Sequence, residues 1–318
     1  MGPDAVRTVA VVGTGTIGGG WAVHFLRWGF DVVAYDPAPD AGRRLATVVD
    51  NAWETLRPLG LADGASPTRL TVVSTLDEAV ARADFVQEST PEVLDAKVAL
   101  LARIDSAARP DVVVASSTSG FAMTDMQVAC RSPERFVVGH PFNPPYLIPV
   151  VEVVGGKATA AEAVDWAERF YASTGKVVVK MARELPGFVA NRLQEAMWYE
   201  ALHMVAAGES TVDQIDAAVT YGPGLRWALM GPCLTFHLAG GPGGMAAMLD
   251  HFGPHLTQAW TRNTAPELTA DLRAAMVDGC AAEAGGSSVA ELVRERDDFL
   301  VELLLLLRRH AAKWGRRP

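Results

Sequence analysis

Short apolar runs alternate with helical patterns along the first half of the chain. Several runs rich in valine and other β-forming residues predict strands, and segments with helical periodicity separate many of them. The predicted strands are Val9–Val12, Val32–Tyr35, Leu70–Val73, Phe85–Gln87, Val112–Ser116, Phe136–Gly139, Val150–Val154 and Val177–Val179. Because these runs are nearly all apolar, they are typical of a parallel sheet that is covered on both faces.

The pattern changes after Pro186. Residues 187–207 have long helical periodicity, and the rest of the chain is helical with glycine-rich breaks and no strong strand pattern. The alternation before this point predicts right-handed βαβ units in a doubly wound Rossmann sheet. We therefore expect an α/β protein with a dinucleotide-binding domain over residues 1–185 and an all-α domain over residues 186–318.

A glycine fingerprint follows the first predicted strand. Gly13, Gly15 and Gly18 fit the pattern G-x-G-x-x-G, and Thr16 and Ile17 lie between them at the start of a predicted helix. The first glycine permits the tight turn, the second lets the backbone approach a pyrophosphate, and the third allows close packing of helix and strand. The N–H groups of the helix start would bind the phosphates.

An acidic residue ends the second predicted strand. Asp36 lies 18 residues after Gly18, where a carboxylate can accept hydrogen bonds from the adenosine ribose and repel a 2′-phosphate. Arg43 and Arg44 follow in the next predicted helix and are compatible with a 2′-phosphate, so NADP is the alternative. The acidic residue favours NAD.

Composition excludes several other classes. The 318 residues include 28 Lys plus Arg against 37 Asp plus Glu, and this net charge of −9 disfavours nucleic acid and anionic membranes as partners. The apolar runs are too short to span a bilayer. Cys130, Cys233 and Cys280 are far apart, which indicates no zinc site and suits a reducing cytoplasm.

Four polar residues stand at the ends of predicted strands or at the starts of helices. Ser119 and His140 each follow a strand, Glu152 lies among valines, and Asn191 begins the long helix after Pro186. A buried glutamate needs a partner, because an unpaired charge in an apolar strand is costly. Histidine is the natural one, and the pair would give an oriented imidazole able to act as a general base.

At these motifs the chain resembles the L-3-hydroxyacyl-CoA dehydrogenase superfamily, and the resemblance covers nearly the whole sequence. It implies that His140 is the base, that Glu152 orients it, and that Ser119 and Asn191 hydrogen-bond the reacting oxygen of an alcohol substrate. The motifs are the fingerprint, Val86-Gln87-Glu88 with Glu92 and Lys97, Ser116–Ser119, Gly139–Pro144, Val151–Val153 and Pro186–Leu193.

The same resemblance implies further contacts with the cofactor. Glu88 and Lys97 match positions near the cofactor. Ser117 departs from the family, which usually has asparagine there, so a contact by this side chain with the nicotinamide half is in doubt.

The lysine distribution bears on the substrate. Only 5 of the 28 basic residues are lysines, and the stretch from Ala41 to Ala96, where CoA-handling relatives hold the CoA phosphates, contains none. A small free 3-hydroxy acid is therefore favoured over a CoA thioester. Downstream segments resemble the L-carnitine dehydrogenase branch; they are Gly224–Trp227, Met230–Pro232, Leu238–Gly241, Phe252–Pro254, Trp260–Thr261, Ala265–Thr269 and Arg296–Asp298.

That branch implies NAD-dependent oxidation of L-carnitine to 3-dehydrocarnitine. A quaternary ammonium is best held by aromatic faces. Trp198 lies two helical turns after Asn191 on the same helix face, and Arg226 is a possible partner for the carboxylate, although Ser119 or backbone N–H groups could also bind it. The other aromatic residues proposed for the pocket are Phe121, Phe142, Tyr146, Tyr221 and Trp227.

Alternatives stay open at this point. His237, Gln258 and Asn263 depart from the branch, so another 3-hydroxy acid, such as L-gulonate, or a 3-hydroxyacyl thioester is possible. A non-catalytic, crystallin-like NAD-binding protein is the alternative from a different class. A helix as apolar as the stretch from Val301 to Leu307 is expected to pack against another protein surface. We favour a homodimer through the helical domain, and a core helix within one chain is the alternative.

Overall fold

The computed structural model describes residues 2–253, 261–262 and 264–314. Predicted features at Pro254, Gln258, Trp260 and Asn263 lie outside these residues. The chain divides into two compact units: residues 1–191 with 297–305, and residues 192–296 with 306–318.

The first unit contains an eight-stranded sheet, and every predicted strand is confirmed within a residue or two. The sheet order is β3-β2-β1-β4-β5-β6-β7-β8. The strands are β1 (Thr8–Val12), β2 (Asp31–Tyr35), β3 (Leu70–Val72), β4 (Phe85–Glu88), β5 (Val113–Ser116), β6 (Phe136–Pro141), β7 (Val150–Gly155) and β8 (Val177–Lys180).

The strand direction reverses near one edge of the sheet. Strands β1 to β6 are parallel, whereas β7 pairs with β6 in the antiparallel sense and β8 runs parallel to β7. The reversal is a departure from the parallel sheet that the apolar strand runs predict. Apolar strand runs do not encode direction, which depends on the connections between strands.

Helices cover both faces of this sheet, as the apolar strand pattern predicts. One face packs against α1, α2 and α6 in a core that includes Trp21, Phe25 and Phe170, and the other packs against α3, α4 and α5. The helices are α1 (Thr16–Arg27), α2 (Ala41–Leu56), α3 (Leu76–Ala81), α4 (Leu94–Ala107), α5 (Met123–Met126) and α6 (Ala161–Ser173).

The residues described after β8 form helices and no strand. The long helix expected after Pro186 begins at Ala190, because the preceding residues adopt turns with positive φ at Gly187 and Phe188. The helices are α7 (Ala190–Ala206), α8 (Val212–Tyr221), α9 (Pro223–Trp227), α10 (Pro232–Ala239), α11 (Gly244–Phe252), α12 (Ala270–Glu283) and α13 (Val289–Trp314).

Part of α13 belongs to the first unit. Val301 is buried in the core on the α1 face, and Leu300, Leu304 and Leu305 pack against it. This accounts within the chain for much of the apolar stretch from Val301 to Leu307. The first unit is therefore discontinuous in sequence, since residues 297–305 return to it, and the domain boundary at residues 185–186 stays a prediction.

Candidate active site

The glycine loop forms a cradle at the start of α1. A side chain at Gly13 would lie 2.7 Å from the Ser89 carbonyl oxygen, and one at Gly18 would lie 1.8 Å from the Gly13 carbonyl oxygen, so both positions require glycine. A side chain at Gly15 would meet nothing within 4 Å, which leaves the backbone open on that side. The N-cap residue of α1, Gly15, makes no side-chain capping bond, so the N–H groups of the first turn, at Thr16 and Ile17, are candidates for binding a pyrophosphate.

Asp36 lies beside this loop at the end of β2. Its carboxylate accepts hydrogen bonds from the Thr14 N–H at 2.8 Å, the Thr14 hydroxyl at 3.1 Å and the Ala38 N–H at 3.0 Å. Burial by itself would raise the pKa of Asp36, but these hydrogen bonds outweigh it and lower the pKa below its ordinary value. The group is therefore an ionised, partly exposed acceptor.

The two arginines that could favour NADP are paired elsewhere. Arg44 donates a hydrogen bond to Asp40, and Arg43 lies 4.0 Å from the same carboxylate. Both side chains are exposed on α2. This arrangement agrees with the choice of NAD.

His140 and Glu152 form a buried pair across β6 and β7. The two residues are register partners, and His140 Nδ1 lies 2.9 Å from Glu152 Oε2. The other carboxylate oxygen, Oε1, accepts hydrogen bonds from the Val189 and Ala190 N–H groups, each at 2.9 Å, at the start of α7. These contacts supply the partners that a carboxylate among valines requires.

Hydrogen bonds keep Glu152 ionised. Burial would raise the pKa of Glu152, but the hydrogen bonds from His140, Ala190 and Val189 outweigh it and lower the pKa. An ionised Glu152 accepts from Nδ1, so the Nδ1–H tautomer is favoured and Nε2 is left to accept a proton. Phe142 and Phe188 pack near the imidazole, each with its ring centroid 5.1 Å away.

Ser119 and Asn191 are also brought together. Asn191 Nδ2 donates to the Ser119 carbonyl oxygen at 3.0 Å, and Ser119 itself is exposed after β5. The amide group of Asn191 has a second N–H available for another acceptor.

Glu92, to which the sequence analysis gave no role, organises the loop that carries Ser119. Its Oε1 accepts hydrogen bonds from the Thr118 hydroxyl, the Ser119 N–H at 2.9 Å and the Gly120 N–H at 3.2 Å. Glu92 stands among the family motifs, which was the one signal for it in the sequence.

Glu88 and Lys97, predicted as cofactor contacts, are buried and paired with each other. Lys97 Nζ donates to the two Glu88 oxygens at 2.9 and 3.1 Å and to the Thr90 carbonyl oxygen at 3.1 Å. The Ser116 hydroxyl also donates to Glu88. This arrangement holds the loop after β4, and a direct contact of either side chain with the cofactor stays a prediction.

The hydroxyl of Ser117 is engaged inside the first unit. Ser117 Oγ lies 3.1 Å from Trp21 Nε1, 2.9 Å from Gln87 Nε2 and 2.8 Å from Ser89 Oγ. The side chain that differs from the family is thus part of a buried polar network.

The predicted substrate residues of the first unit differ in their surroundings. Phe142 lies beside His140, and Phe121 packs against the core on the α4 face. The Tyr146 hydroxyl donates to Asp297 on α13 at 2.9 Å, which gives this residue a structural partner that the sequence analysis did not foresee.

The other predicted substrate residues lie in the second unit. Trp198 is on α7 with half of its side chain exposed (50%). Arg226 and Trp227 end α9, and Tyr221 ends α8. Their substrate contacts stay predictions.

No helix among the described residues is long and apolar enough to cross a membrane. No group of three or more histidine, cysteine, aspartate or glutamate side chains in this part of the chain is placed to hold a metal ion.

Comparison with known protein families gives two matches that together span most of the chain. The model described as 3-hydroxyacyl-CoA dehydrogenase, NAD binding domain, matches residues 8–185. The model described as 3-hydroxyacyl-CoA dehydrogenase, C-terminal domain, matches residues 187–275.

Individual relatives agree with these matches. An L-carnitine dehydrogenase of Streptomyces griseus subsp. griseus is 65% identical over 302 residues, which is 95% of this chain and 90% of that protein. An L-carnitine dehydrogenase of Pseudomonas aeruginosa is 50% identical over 310 residues, which is 98% of this chain and 97% of that protein.

Among solved structures, the chain is similar to 5-formyl-3-hydroxy-2-methylpyridine 4-carboxylic acid 5-dehydrogenase, described as an NAD⁺-dependent dismutase. The TM-score is 0.82 at 28% identity, over 95% of this chain and 99% of the other. The 3-hydroxybutyryl-CoA dehydrogenase of Escherichia coli K12 gives a TM-score of 0.66 at 29% identity, over 86% of this chain and 57% of the other.

Proposed function

The chain belongs to the 3-hydroxyacyl-CoA dehydrogenase family, and we propose from this premise that it oxidises L-carnitine to 3-dehydrocarnitine with NAD. The observation that best supports L-carnitine as the substrate is the 65% identity to a curated L-carnitine dehydrogenase over 95% of the chain. Identity at this level over both matched regions supports a shared substrate as well as a shared fold.

The surroundings of α2 support a small acid over a CoA thioester. The stretch from Ala41 to Ala96 has no lysine. The arginines on α2 and directly after it pair with nearby carboxylates: Arg43 and Arg44 with Asp40, and Arg57 with Glu54. This part of the chain therefore has little free positive charge for a CoA phosphate.

In the proposed mechanism, His140 is the general base. Nε2 of the imidazole takes the proton of the substrate hydroxyl, while Nδ1 keeps its hydrogen bond to Glu152. The carboxylate stabilises the imidazolium that forms, because an opposite charge at hydrogen-bond distance favours the protonated ring. NAD held by the Gly13–Gly18 loop and Asp36 would supply the acceptor for the carbinol hydrogen and its electron pair, which would leave the substrate carbon as a carbonyl.

Ser119 and Asn191 stabilise the substrate oxygen. As the hydroxyl proton leaves, negative charge develops on this oxygen, and the Ser119 hydroxyl and the second N–H of Asn191 donate to it. The hydrogen bond between Asn191 and the Ser119 carbonyl holds the two donors together.

The trimethylammonium group requires a different kind of contact. It cannot donate a hydrogen bond, so aromatic faces are its best partners. We assign this role to Trp198 with Trp227 as a further wall, and we assign the carboxylate of carnitine to Arg226.

A substrate panel tests the proposal. Purified protein is assayed with L-carnitine, D-carnitine, L-gulonate, 3-hydroxybutyrate and 3-hydroxybutyryl-CoA, each with NAD and with NADP. We expect kcat/KM for L-carnitine with NAD to exceed the other values by about a hundredfold or more, since a site built around a cation and a hydroxyl rejects analogues that lack either. Faster turnover of L-gulonate or of the thioester would contradict the proposal that L-carnitine is the substrate.

We further propose a homodimer in the cytoplasm. Large apolar side chains of the second unit are exposed, including Tyr221 (78%), Leu225 (67%) and Leu238 (58%), and burying such side chains between two copies of the chain would remove apolar surface from water. Free Cys130, Cys233 and Cys280 suit a reducing compartment. Light scattering at micromolar concentration should give the mass of two chains, and the mass of one chain would contradict the dimer.

A further inference from the structure

Ser117 Oγ is the centre of a buried hydrogen-bond network. It has three polar neighbours: Trp21 Nε1 at 3.1 Å, Gln87 Nε2 at 2.9 Å and Ser89 Oγ at 2.8 Å. Ser117 is 8% exposed, and Trp21 and Gln87 are fully buried. The hydroxyl of Ser117 is therefore committed to these neighbours and is not directed at a ligand.

The direction of each hydrogen bond follows from the donors available. The Trp21 indole is a donor only. The Gln87 amide presents its NH₂ group to Ser117, because its Oε1 accepts from the buried Tyr171 hydroxyl at 2.6 Å. In the opposite orientation the Gln87 NH₂ group would face the Tyr171 hydroxyl. The Tyr171 proton would then lose its acceptor among the described residues, and an unpaired buried donor is costly.

Counting protons then fixes the state of Ser89. A hydroxyl oxygen has two lone pairs and one proton. Trp21 and Gln87 occupy both lone pairs of Ser117, so Ser117 must donate its proton to Ser89 Oγ. The proton of Ser89 is consequently directed away from Ser117.

Ser89 stands at the mouth of the cofactor cradle. It directly follows β4, its N–H donates to the Val12 carbonyl oxygen at 2.7 Å, and its carbonyl oxygen lies against Gly13. A side chain at Gly18 would lie 3.2 Å from Ser89 Cβ. Ser89 is only partly buried, in contrast to the fully buried Trp21 and Gln87, so part of this residue is accessible to a ligand.

The strand order indicates which part of the dinucleotide would lie next to Ser89. Asp36 follows β2, the fingerprint follows β1, and Ser89 follows β4. These three strands are adjacent in the order β2-β1-β4. Dinucleotides bind across the carboxyl ends of the strands at this switch point. With the adenosine ribose at Asp36 and the pyrophosphate at α1, the nicotinamide-side ribose lies over β4.

We propose that the Ser89 hydroxyl donates a hydrogen bond to the nicotinamide-side ribose of NAD(H), and that Trp21, Gln87 and Ser117 are positioning residues that direct this donor outward. This inference rests on NAD binding alone within the proposed function and is independent of the alcohol substrate. It assigns to Ser89 a contact with the nicotinamide half of the cofactor, whereas the Ser117 hydroxyl is engaged within the protein.

The test is a binding experiment with fragments of the cofactor. NADH, ADP-ribose, ADP and AMP are titrated against wild-type protein and Ser89→Ala. We expect Kd for NADH and for ADP-ribose to rise about 3- to 12-fold, as for loss of one neutral hydrogen bond. Kd for ADP and AMP, which lack the second ribose, should stay unchanged.

A second variant tests whether Trp21, through Ser117, directs the proton of Ser89. Trp21→Phe frees one lone pair on Ser117, so the Ser89 proton can turn toward Ser117 and away from the ligand. Kd for ADP-ribose should then rise by a smaller factor of about 2- to 4-fold, while Kd for ADP stays unchanged. Ser106→Ala, which removes an exposed hydroxyl bonded to Ala102 on α4, is the matched control and should bind every ligand as wild type does.

The other outcomes separate the two proposals. Equal binding of ADP-ribose by wild type and Ser89→Ala would overturn the inference and leave the proposed function intact. A rise in Kd for ADP as large as that for ADP-ribose would place the contact on a phosphate and would also overturn it. Wild-type protein that binds neither NADH nor ADP-ribose would overturn both proposals.

Discussion

His140 and Glu152 face each other directly across an antiparallel strand pair, with His140 Nδ1 2.9 Å from Glu152 Oε2. The pairing is built into the sheet register, so neither side chain depends on a loop for its position. Because Glu152 also accepts two backbone N–H bonds at the start of α7, the same carboxylate joins the sheet to the segment that carries Asn191.

Glu152→Gln should abolish most of the activity while leaving the substrate affinity largely intact. The amide cannot stabilise a protonated imidazole and does not hold the Nδ1–H tautomer, so kcat should fall about 10²- to 10⁴-fold. Steady-state kinetics with NAD measures this. Glu162→Gln, an exposed glutamate on α6, is the control and should behave as wild type. Retention of most of kcat in Glu152→Gln would remove Glu152 from the mechanism.

The acid dependence of stability gives an independent measure of the same pair. The pKa of Glu152 is lower in the folded protein than its ordinary value of 4.5, so its contribution is fully present above that value. The contribution is lost as the pH falls through the lower, folded-state pKa. Urea denaturation from pH 7 to pH 3 should therefore show a difference between wild type and Glu152→Gln that shrinks on acidification. A difference that is constant with pH would contradict an ionised, hydrogen-bonded Glu152.

Much of this site was predictable from sequence because its signals are local. A glutamate amid valines at Glu152 demands a partner wherever it is buried, and the fingerprint at Gly13 to Gly18 is defined by spacing alone. The strands were predictable for the same reason, since a buried strand is recorded in consecutive residues such as Val9–Val12.

The rest depends on contacts between distant parts of the chain. Trp21 and Ser117 are 96 residues apart, and Tyr146 and Asp297 are 151 apart, so no local periodicity records them. The reversed direction of β7 and β8 and the return of Val301 to the first core are likewise set by tertiary packing. Sequence patterns fix which residues are buried but not which residues they meet.

Asp36 should control the choice between NAD and NADP. Its pKa is lowered, so the carboxylate is ionised at any assay pH near neutrality. Asp36→Asn removes a charged acceptor for the ribose hydroxyls, and Kd for NADH should rise about 10- to 100-fold. Kd for NADPH should fall or stay the same, since the repulsion of its phosphate is removed.

Fluorescence titration with both cofactors checks this expectation. The control is Asp50→Asn, because Asp50 is an exposed carboxylate on α2. An unchanged ratio of the two Kd values in Asp36→Asn would show that another group selects the cofactor.

Lys176 should stabilise the segment between β6 and β7. Its buried Nζ donates to the Pro145 carbonyl oxygen and, at 3.0 Å, to the Ile148 carbonyl oxygen. Near pH 10.5, where the lysine can be neutral in both the folded and the unfolded chain, Lys176→Met leaves these acceptors without their donor, and the free energy of unfolding should fall by about 1–3 kcal/mol. Lys157→Met, at an exposed lysine of the same unit, should have little effect in the same urea titration.

Lys176 also makes stability depend on alkaline pH. Burial, followed by repulsion from Arg27, lowers the pKa of Lys176 from 10.5 to about 7. Between these values the unfolded chain holds a proton that the folded chain has released, so this group makes stability rise with pH across that window. Lys176→Met should remove that component, and a pH profile parallel to that of wild type would show that Lys176 stays protonated when folded.

Trp198 should recognise the positive charge of the substrate. It lies seven residues after Asn191 on α7, hence on the same helix face, and half of its side chain is exposed. Cation–π attraction contributes about 0.5–2 kcal/mol, so Trp198→Ala should raise KM for L-carnitine about 2- to 30-fold with a smaller change in kcat. Trp198→Phe should retain part of the affinity, because it keeps an aromatic face.

A neutral isostere separates this charge effect from simple packing. In 3-hydroxy-5,5-dimethylhexanoate a carbon replaces the nitrogen of carnitine, so the shape is kept and the charge is lost. Wild-type protein should prefer carnitine, and Trp198→Ala should lose that preference, whereas Met197→Ala, at the exposed neighbour of Trp198, should keep it. If Trp198→Ala weakens both substrates equally, Trp198 acts through packing and the cation is held by another aromatic residue, for which Trp227→Ala is the next variant.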